Sequence, residues 1–231
     1  MTARALSRLL PALLGVAMLA LTTAEARAQQ RTPASSPAPV PREPAIRVRG
    51  VFEAGGRTFT ASKAFDAVLG SNAGPIYGAG AEVLVGRNLF VSFGVSKFQR
   101  DGERVVVFND EAFPVGIPTT VSVVPIEVSA GWRFDKPGRT VTPYLGGGVS
   151  WHRYHETSEF ATSDEDVQFT KAGFQVIGGA EWRASSWIGI AGEAGWMSVP
   201  NAFSEPTSAA AAFDEDDLGG AVFRVKVVLG R

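Results

Sequence analysis

The sequence predicts an all-β fold, an eight-stranded antiparallel up-and-down transmembrane β-barrel, on three observations. Runs of about ten residues alternate apolar with small or polar side chains from Ala45 to the end. The connections between those runs alternate short and long, as periplasmic turns and surface loops do in outer-membrane barrels. A secretory signal precedes them.

The signal spans residues 1–28. Arg4 and Arg8 form a basic start, Leu9 to Leu21 is an apolar run, and Ala26-Arg27-Ala28 is a small-x-small cleavage site. The run is shorter than the ~20 residues a spanning helix needs, so cleavage before Gln29 is expected rather than anchoring. Residues 29–44 hold Pro33, Pro37, Pro39, Pro41 and Pro44 with few apolar side chains. They read as a periplasmic linker with no core of their own. The barrel domain is placed at 45–231.

In the first half, Ile46, Val48, Phe52 and Ala54 alternate with Arg47, Arg49 and Glu53. Tyr77, Ala79, Ala81, Val83 and Val85 alternate with Gly78, Gly80 and Glu82. Leu89, Val91, Phe93 and Val95 alternate with Ser92, Gly94 and Ser96. Ile126, Val128, Ala130, Trp132 and Phe134 alternate with Glu127, Ser129, Gly131 and Arg133.

The second half repeats the pattern. Leu145, Val149 and Trp151 face away from Tyr144, Gly146, Gly148, Ser150 and His152. Phe174, Val176, Ala180 and Trp182 face away from Gln175, Glu181 and Arg183. Ile188, Ile190, Ala194 and Trp196 face away from Gly189, Glu193 and Gly195. Phe223, Val225, Val227 and Leu229 face away from Arg224 and Lys226. Phe90, Ile177 and Val228 break the pattern by sitting in the polar phase.

Short turns fall at 86–88, 135–140 and 184–186. Long connections fall at 64–75, 100–118, 156–167 and 199–218, and Arg104 to Asn109 reads as a strand extension within one of them.

A membrane barrel turns its apolar phase outward and encloses its polar phase. The richness of the polar phase in Gly and Ser fits enclosure, because an eight-strand interior is only just wide enough to be filled by side chains. The aromatics Trp132, Phe134 and Trp182 gather at the short-turn end, and Tyr77, Trp151 and Trp196 at the long-loop end. These are the expected membrane-interface girdles.

The enclosed charges are Arg47, Arg49, Arg133, Arg183, Arg224 and Lys226 against Glu53, Glu82, Glu127, Glu181 and Glu193. A charge cannot be buried cheaply without a partner, so a lumen ion-pair network is expected. Closure would set Arg47, Arg49, Arg224 and Lys226 along one seam, flanked by Glu82 and Glu193.

Other chemistry is sparse. The 22 basic and 23 acidic side chains leave a net charge of −1, without the basic excess of a nucleic-acid binder. There is no cysteine, hence no disulfide framework or thiolate site. His152 and His155 are three apart in a strand and point to opposite faces, so they do not share a metal. Ser150, His152, Glu156 and Ser158 are the parts available to a surface hydrolase, and their spacing does not assemble one. Gly146-Gly147-Gly148 lacks the lysine and strand-to-helix context of a phosphate loop.

Two acidic stretches stand in the long connections: Glu159, Asp164, Glu165 and Asp166, and Asp214 to Asp217. They are candidates for divalent cations or lipopolysaccharide, set against the plainer reading of solvated loops.

With the strands placed, Phe65-Asp66-Ala67-Val68-Leu69-Gly70, Pro143-Tyr144-Leu145-Gly146-Gly147-Gly148 and the closing Asp217-Leu218-Gly219-Gly220 give a chain that resembles the outer-membrane protein β-barrel domain family. The likeness is to its small, porin-like, eight-stranded members and covers residues 45–231. It implies an assembly signal in the last strand, where Gly220, Phe223 and Val225 fit the spacing. The family's common terminal aromatic is absent, since the chain ends Leu229-Gly230-Arg231.

The expectation is a monomeric outer-membrane protein with a structural or surface-interaction role, in contact with outer-membrane lipid. It needs no cofactor, binds no nucleic acid and is not an enzyme. A small-solute channel is the alternative, and a lipid-modifying enzyme the third.

Overall fold

The computed structural model describes residues 46–108, 111–158, 167–203 and 209–231. The signal and linker, and the acidic stretch from Glu159 to Asp166, lie outside the described residues.

Eight strands form one closed ring: β1 (Ile46–Thr58), β2 (Ala73–Val85), β3 (Leu89–Phe108), β4 (Glu111–Arg133), β5 (Val141–Ser158), β6 (Val167–Arg183), β7 (Ile188–Ser198) and β8 (Gly220–Leu229). Each pairs antiparallel with its chain neighbours, and β1 closes on β8 from Gly50↔Leu229 to Arg57↔Val222. Closure pairs the ladder groups that a sheet edge would expose to lipid.

The period-two pattern decides the faces. Ile46, Val48 and Phe52 on β1, Phe93 and Val95 on β3, Leu145 and Val149 on β5, and Phe223 and Val225 on β8 are 48–65% exposed. In the opposite phase Arg49 and Glu181 are 1% exposed. Large apolar side chains laid bare around a whole circumference need a non-aqueous surround. This is therefore a membrane-spanning barrel, with its charges inside.

The long connections hold more structure than the sequence suggests. The long connection expected at 64–75 is mostly taken up by a helix, α1 (Ser62–Leu69), and the first residues of β2 (from Ala73). Ala64, Phe65 and Leu69 of α1 are buried, so the helix turns an apolar face into the barrel mouth. It stops at Gly70, whose φ of 69° is left-handed and whose N–H donates to the Asp66 carbonyl. Its backbone lies against β3, where a Cβ on Gly102 would collide with the Val68 carbonyl.

In the long connection expected at 100–118, the strand extension expected from Arg104 is present as far as Phe108, and pairing goes further: β3 continues to Phe108 and β4 begins at Glu111, with an irregularity between Glu103 and Val105. A second, four-residue helix, α2 (Ala209–Ala212), lies in the β7–β8 connection and buries Ala210.

On the inner wall, small residues let strands coil tightly. A Cβ on Gly148 of β5 would come 2.7 Å from Ser129 Cα of β4. The glycine run there serves close strand approach.

Candidate functional site: the filled lumen

Two ion clusters of inverse design occupy the lumen toward the short turns. The first is centred on an anion. Glu181 of β6 takes both terminal nitrogens of Arg49 from β1, at 2.8 and 2.9 Å. It also accepts from Arg133 Nη2 of β4 at 2.7 Å and from Arg183 Nε at 3.1 Å. Arg49 is shared with Glu82 of β2, and Arg133 reaches the same Glu82 at 3.6 Å.

The second cluster is centred on a cation. Arg224 of β8 donates through Nη1 to Glu53 at 2.9 Å and through Nη2 to Glu127 at 2.8 Å. Its Nε stands 2.9 Å from Glu193 Oε1, a charge contact without hydrogen-bond alignment. Glu193 also meets Lys226 and accepts from the Tyr144 hydroxyl at 3.0 Å.

Three arginines face two glutamates in the first cluster, and two cations face three glutamates in the second. The two together are neutral. Their members come from β1, β2, β4, β6, β7 and β8, so the network ties opposite walls of the barrel. Removing a partner would leave an uncompensated buried charge.

Arg47 is not brought into either cluster. It sits at the rim, where Nη2 donates to the Gly86 carbonyl of the β2–β3 turn at 3.4 Å. The seam between β1 and β8 is mixed rather than basic, because the register sets Glu53 opposite Lys226.

The residues that break the alternation have a place here. Phe90 and Ile177 turn inward and join Leu84, Tyr144 and Ala191 in a small apolar cluster. Between the glutamates, Arg224 and Lys226 a cavity of about 30 Å³ remains, room for about two water molecules.

Toward the long loops the filling changes to apolar. Phe59 stacks on Phe65 of α1 with centroids 3.9 Å apart and meets Phe98 edge-on at 4.9 Å. Tyr154 stacks on Phe169 at 4.7 Å, and Phe203 packs edge-on against both. Val121, Val123, Met197, Val199 and Leu218 complete this plug, all 0–2% exposed.

Arg57 lies where the two fillings meet. It is 4% exposed, with its guanidinium 4.4 Å above the Phe59 ring, and donates to the Leu218 carbonyl at 3.4 Å. Among the described residues it makes no ion pair. Arg57 is in phase with Arg49 and Glu53, but Gly55 and Gly56 interrupt the alternation before it, so the sequence pattern of β1 stops at Ala54.

Ser150 and His152 are both 0% exposed, with Oγ and Nε2 3.0 Å apart. The His152 Nδ1 has no hydrogen-bond partner, and Glu156 accepts from Tyr154 instead. His155 points outward, and among the described residues no cluster of histidine and carboxylates could hold a metal ion.

In the second acidic stretch Glu215 and Asp217 are used internally, while Asp214 and Asp216 stay exposed. The Glu215 carboxylate accepts from the N–H groups of Lys63 and Ala64 at 3.0 and 2.9 Å, capping α1 where Ala61 supplies no side-chain cap. Asp217 accepts from Ser198 Oγ and from the N–H groups of Val199 and Gly219 at 2.6–2.7 Å, folding the β7–β8 connection.

On the outer face Tyr77, Trp132, Phe134, Trp151, Trp182 and Trp196 are 43–59% exposed. Trp187, in the short β6–β7 turn and outside the alternating runs, adds another exposed ring at 61%.

No family model matches the sequence, and no curated protein matches it. Among solved structures, Neisserial surface protein A superposes with a TM-score of 0.51 at 14% identity, over 81% of this chain and 98% of that one. The N-terminal β-barrel domain of Pseudomonas aeruginosa OprF gives 0.45 at 10% identity, over 80% and 97%. The likeness to the first is one of fold: the chain is a small eight-stranded barrel with its apolar side chains turned outward.

Proposed function

We propose that the protein is an integral outer-membrane barrel with a structural or surface-interaction role, and that its lumen does not conduct. The export signal read at residues 1–28 supports delivery across the inner membrane. One observation carries the non-conducting reading: ion clusters fill the lower lumen, and an apolar plug fills the mouth. An ion crossing that plug would shed its water against rings with nothing to replace it.

The surface-interaction reading rests on the β3–β4 hairpin. It leaves Val106, Phe108, Phe113 and Val115 44–66% exposed, beyond the polar outward positions Gln99 and Asp101. An apolar patch held out in water favours a contact. In this reading the barrel is a monomer in outer-membrane lipid, with lipopolysaccharide and divalent cations as loop-side partners. The reading takes it as not an enzyme, which the complete burial of the Ser150–His152 pair supports.

Planar-bilayer recording of the purified chain tests this. Silent membranes are expected; large, reproducible channel openings would overturn the filled-lumen reading.

A further inference from the structure

The outward face carries a basic pair that neither the lumen network nor the aromatic girdle accounts for. On β3 the outward residues run Leu89, Val91, Phe93, Val95 and then Lys97. On β5 they run Leu145, Gly147, Val149, Trp151 and then Arg153. Each basic residue is thus the first charged one past the apolar belt on its strand, at the long-loop end.

The register places them together. Tyr77 pairs with Lys97, the neighbours of Lys97 set it opposite Val124, and Val124 pairs with Arg153. Two strand spacings separate the basic residues, roughly 9–10 Å between backbones, within joint reach of two long side chains. Directly beneath lies the row Val95, Ile126 and Trp151, each 43–48% exposed. Among the described residues neither Lys97 nor Arg153 makes an ion pair or hydrogen bond. The outward positions at the same end of the other strands carry no basic side chain: Pro75, Ser122, Thr170, Ser198, Ala221 and Thr58.

A cation on the lipid face is tolerated only near the interface, and there it faces lipid headgroups. Two unpaired cations above an apolar, aromatic row match one kind of ligand, with a phosphate at the headgroup and acyl chains below it. We infer that Lys97 and Arg153 clamp the phosphate of a phosphorylated lipid in the outer leaflet, with Val95, Ile126 and Trp151 seating its chains. This rests on the barrel spanning the outer membrane as proposed above.

The test uses the full mature chain in phosphatidylcholine vesicles doped with bisphosphorylated lipid A or with its dephosphorylated form. Lipid retained on the protein is measured by native mass spectrometry. Each surface cation contributes about a factor of five near an anionic lipid. The double variant Lys97→Gln with Arg153→Gln should therefore retain about twenty-five-fold less phosphorylated lipid. The exchange Lys97→Arg with Arg153→Lys should retain it, and the dephosphorylated lipid should bind neither variant nor wild type.

Heat-modifiable migration shows that each variant is folded; both substitutions point away from the core. Equal retention by wild type and the glutamine variant, or equal retention of the dephosphorylated lipid, would overturn the clamp while leaving the barrel reading intact. Inorganic phosphate alone binding the wild-type chain in vesicles without lipid A as tightly as the lipid does would overturn the lipid assignment as well. Failure of the wild-type chain to enter the bilayer would overturn both.

Discussion

Toward the short turns the lumen is held by charge. Glu181 gathers three arginines, Arg224 gathers three glutamates, and regular strand ladders carry every participant. Toward the long loops the same barrel is filled by rings and branched chains, and much of that filling comes from outside the ladders: Phe65 and Leu69 on α1, Phe203 and Leu218 in the β7–β8 connection. A charged filling demands fixed positions, because every group must meet a partner at about 3 Å. Regular strands supply that. An apolar filling only needs volume, so a helix and a folded connection can supply it.

The difference predicts unlike responses to substitution. The largest is expected for Arg224→Ala, which leaves Glu53, Glu127 and Glu193 with only Lys226 among them. Breaking such a buried arrangement costs about 3–5 kcal/mol, and the upper end is expected here. The urea midpoint of the folded barrel in vesicles, read by band migration, should fall accordingly. Arg224→Lys should recover part of the loss, since one ammonium cannot reach all three carboxylates in the fork geometry of a guanidinium.

In the apolar half, Phe98→Ala removes a ring that is 0% exposed and should cost about 3–4 kcal/mol by the same measurement. The clean contrast is with volume-keeping changes. Phe98→Leu should be tolerated far better than Glu181→Gln, because shape can be partly replaced and a charge partner cannot.

A smaller effect is expected for Glu215→Ala, which uncaps α1. Loss of an anionic cap costs about 1 kcal/mol. Limited proteolysis should then cut near α1 while the eight-strand ladder, followed by circular dichroism, is unchanged.

The smallest effect sharpens the boundary between the halves. Arg57→Met removes a buried cation that has no ion pair among the described residues and keeps the volume over Phe59. The change should be close to neutral or stabilising, as replacement of buried charge by packed apolar groups often is. A loss as large as that of Arg224→Ala would show that Arg57 belongs to the ionic half.

Legibility in the sequence follows the same division. The ionic half obeys period two, so alternation alone assigned Arg49, Glu53, Glu82, Glu127, Arg133, Glu181, Glu193 and Arg224 to the inner phase, where the structure places them. Even the pattern breakers Phe90 and Ile177 were visible as exceptions, though their meeting with Tyr144 needed three dimensions. The apolar half was not legible. The run from Ala64 to Gly70 is short, begins without a capping side chain of its own, and is stabilised by Glu215, distant in sequence. Local propensity carries no trace of such a partner. In residues 100–118 alternation marks a strand extension from Arg104 only, since Gly102, Pro114 and Pro118 interrupt the pattern, yet all three take part in the β3–β4 pairing. Arg47 shows the limit of alternation: it names a face and cannot tell a rim from a lumen.

All of this depends on the apolar phase meeting lipid. The chain's five tryptophans, Trp132, Trp151, Trp182, Trp187 and Trp196, are all on the outer face, 43–61% exposed, so the unmodified protein carries its own probes. Their fluorescence should be strongly quenched when the barrel is folded into vesicles of bromine-labelled phosphatidylcholine, and only weakly by iodide in the water. Fluorescence indifferent to the brominated lipid but quenched by iodide would place those rings in water and contradict the inside-out arrangement of charge and apolar surface.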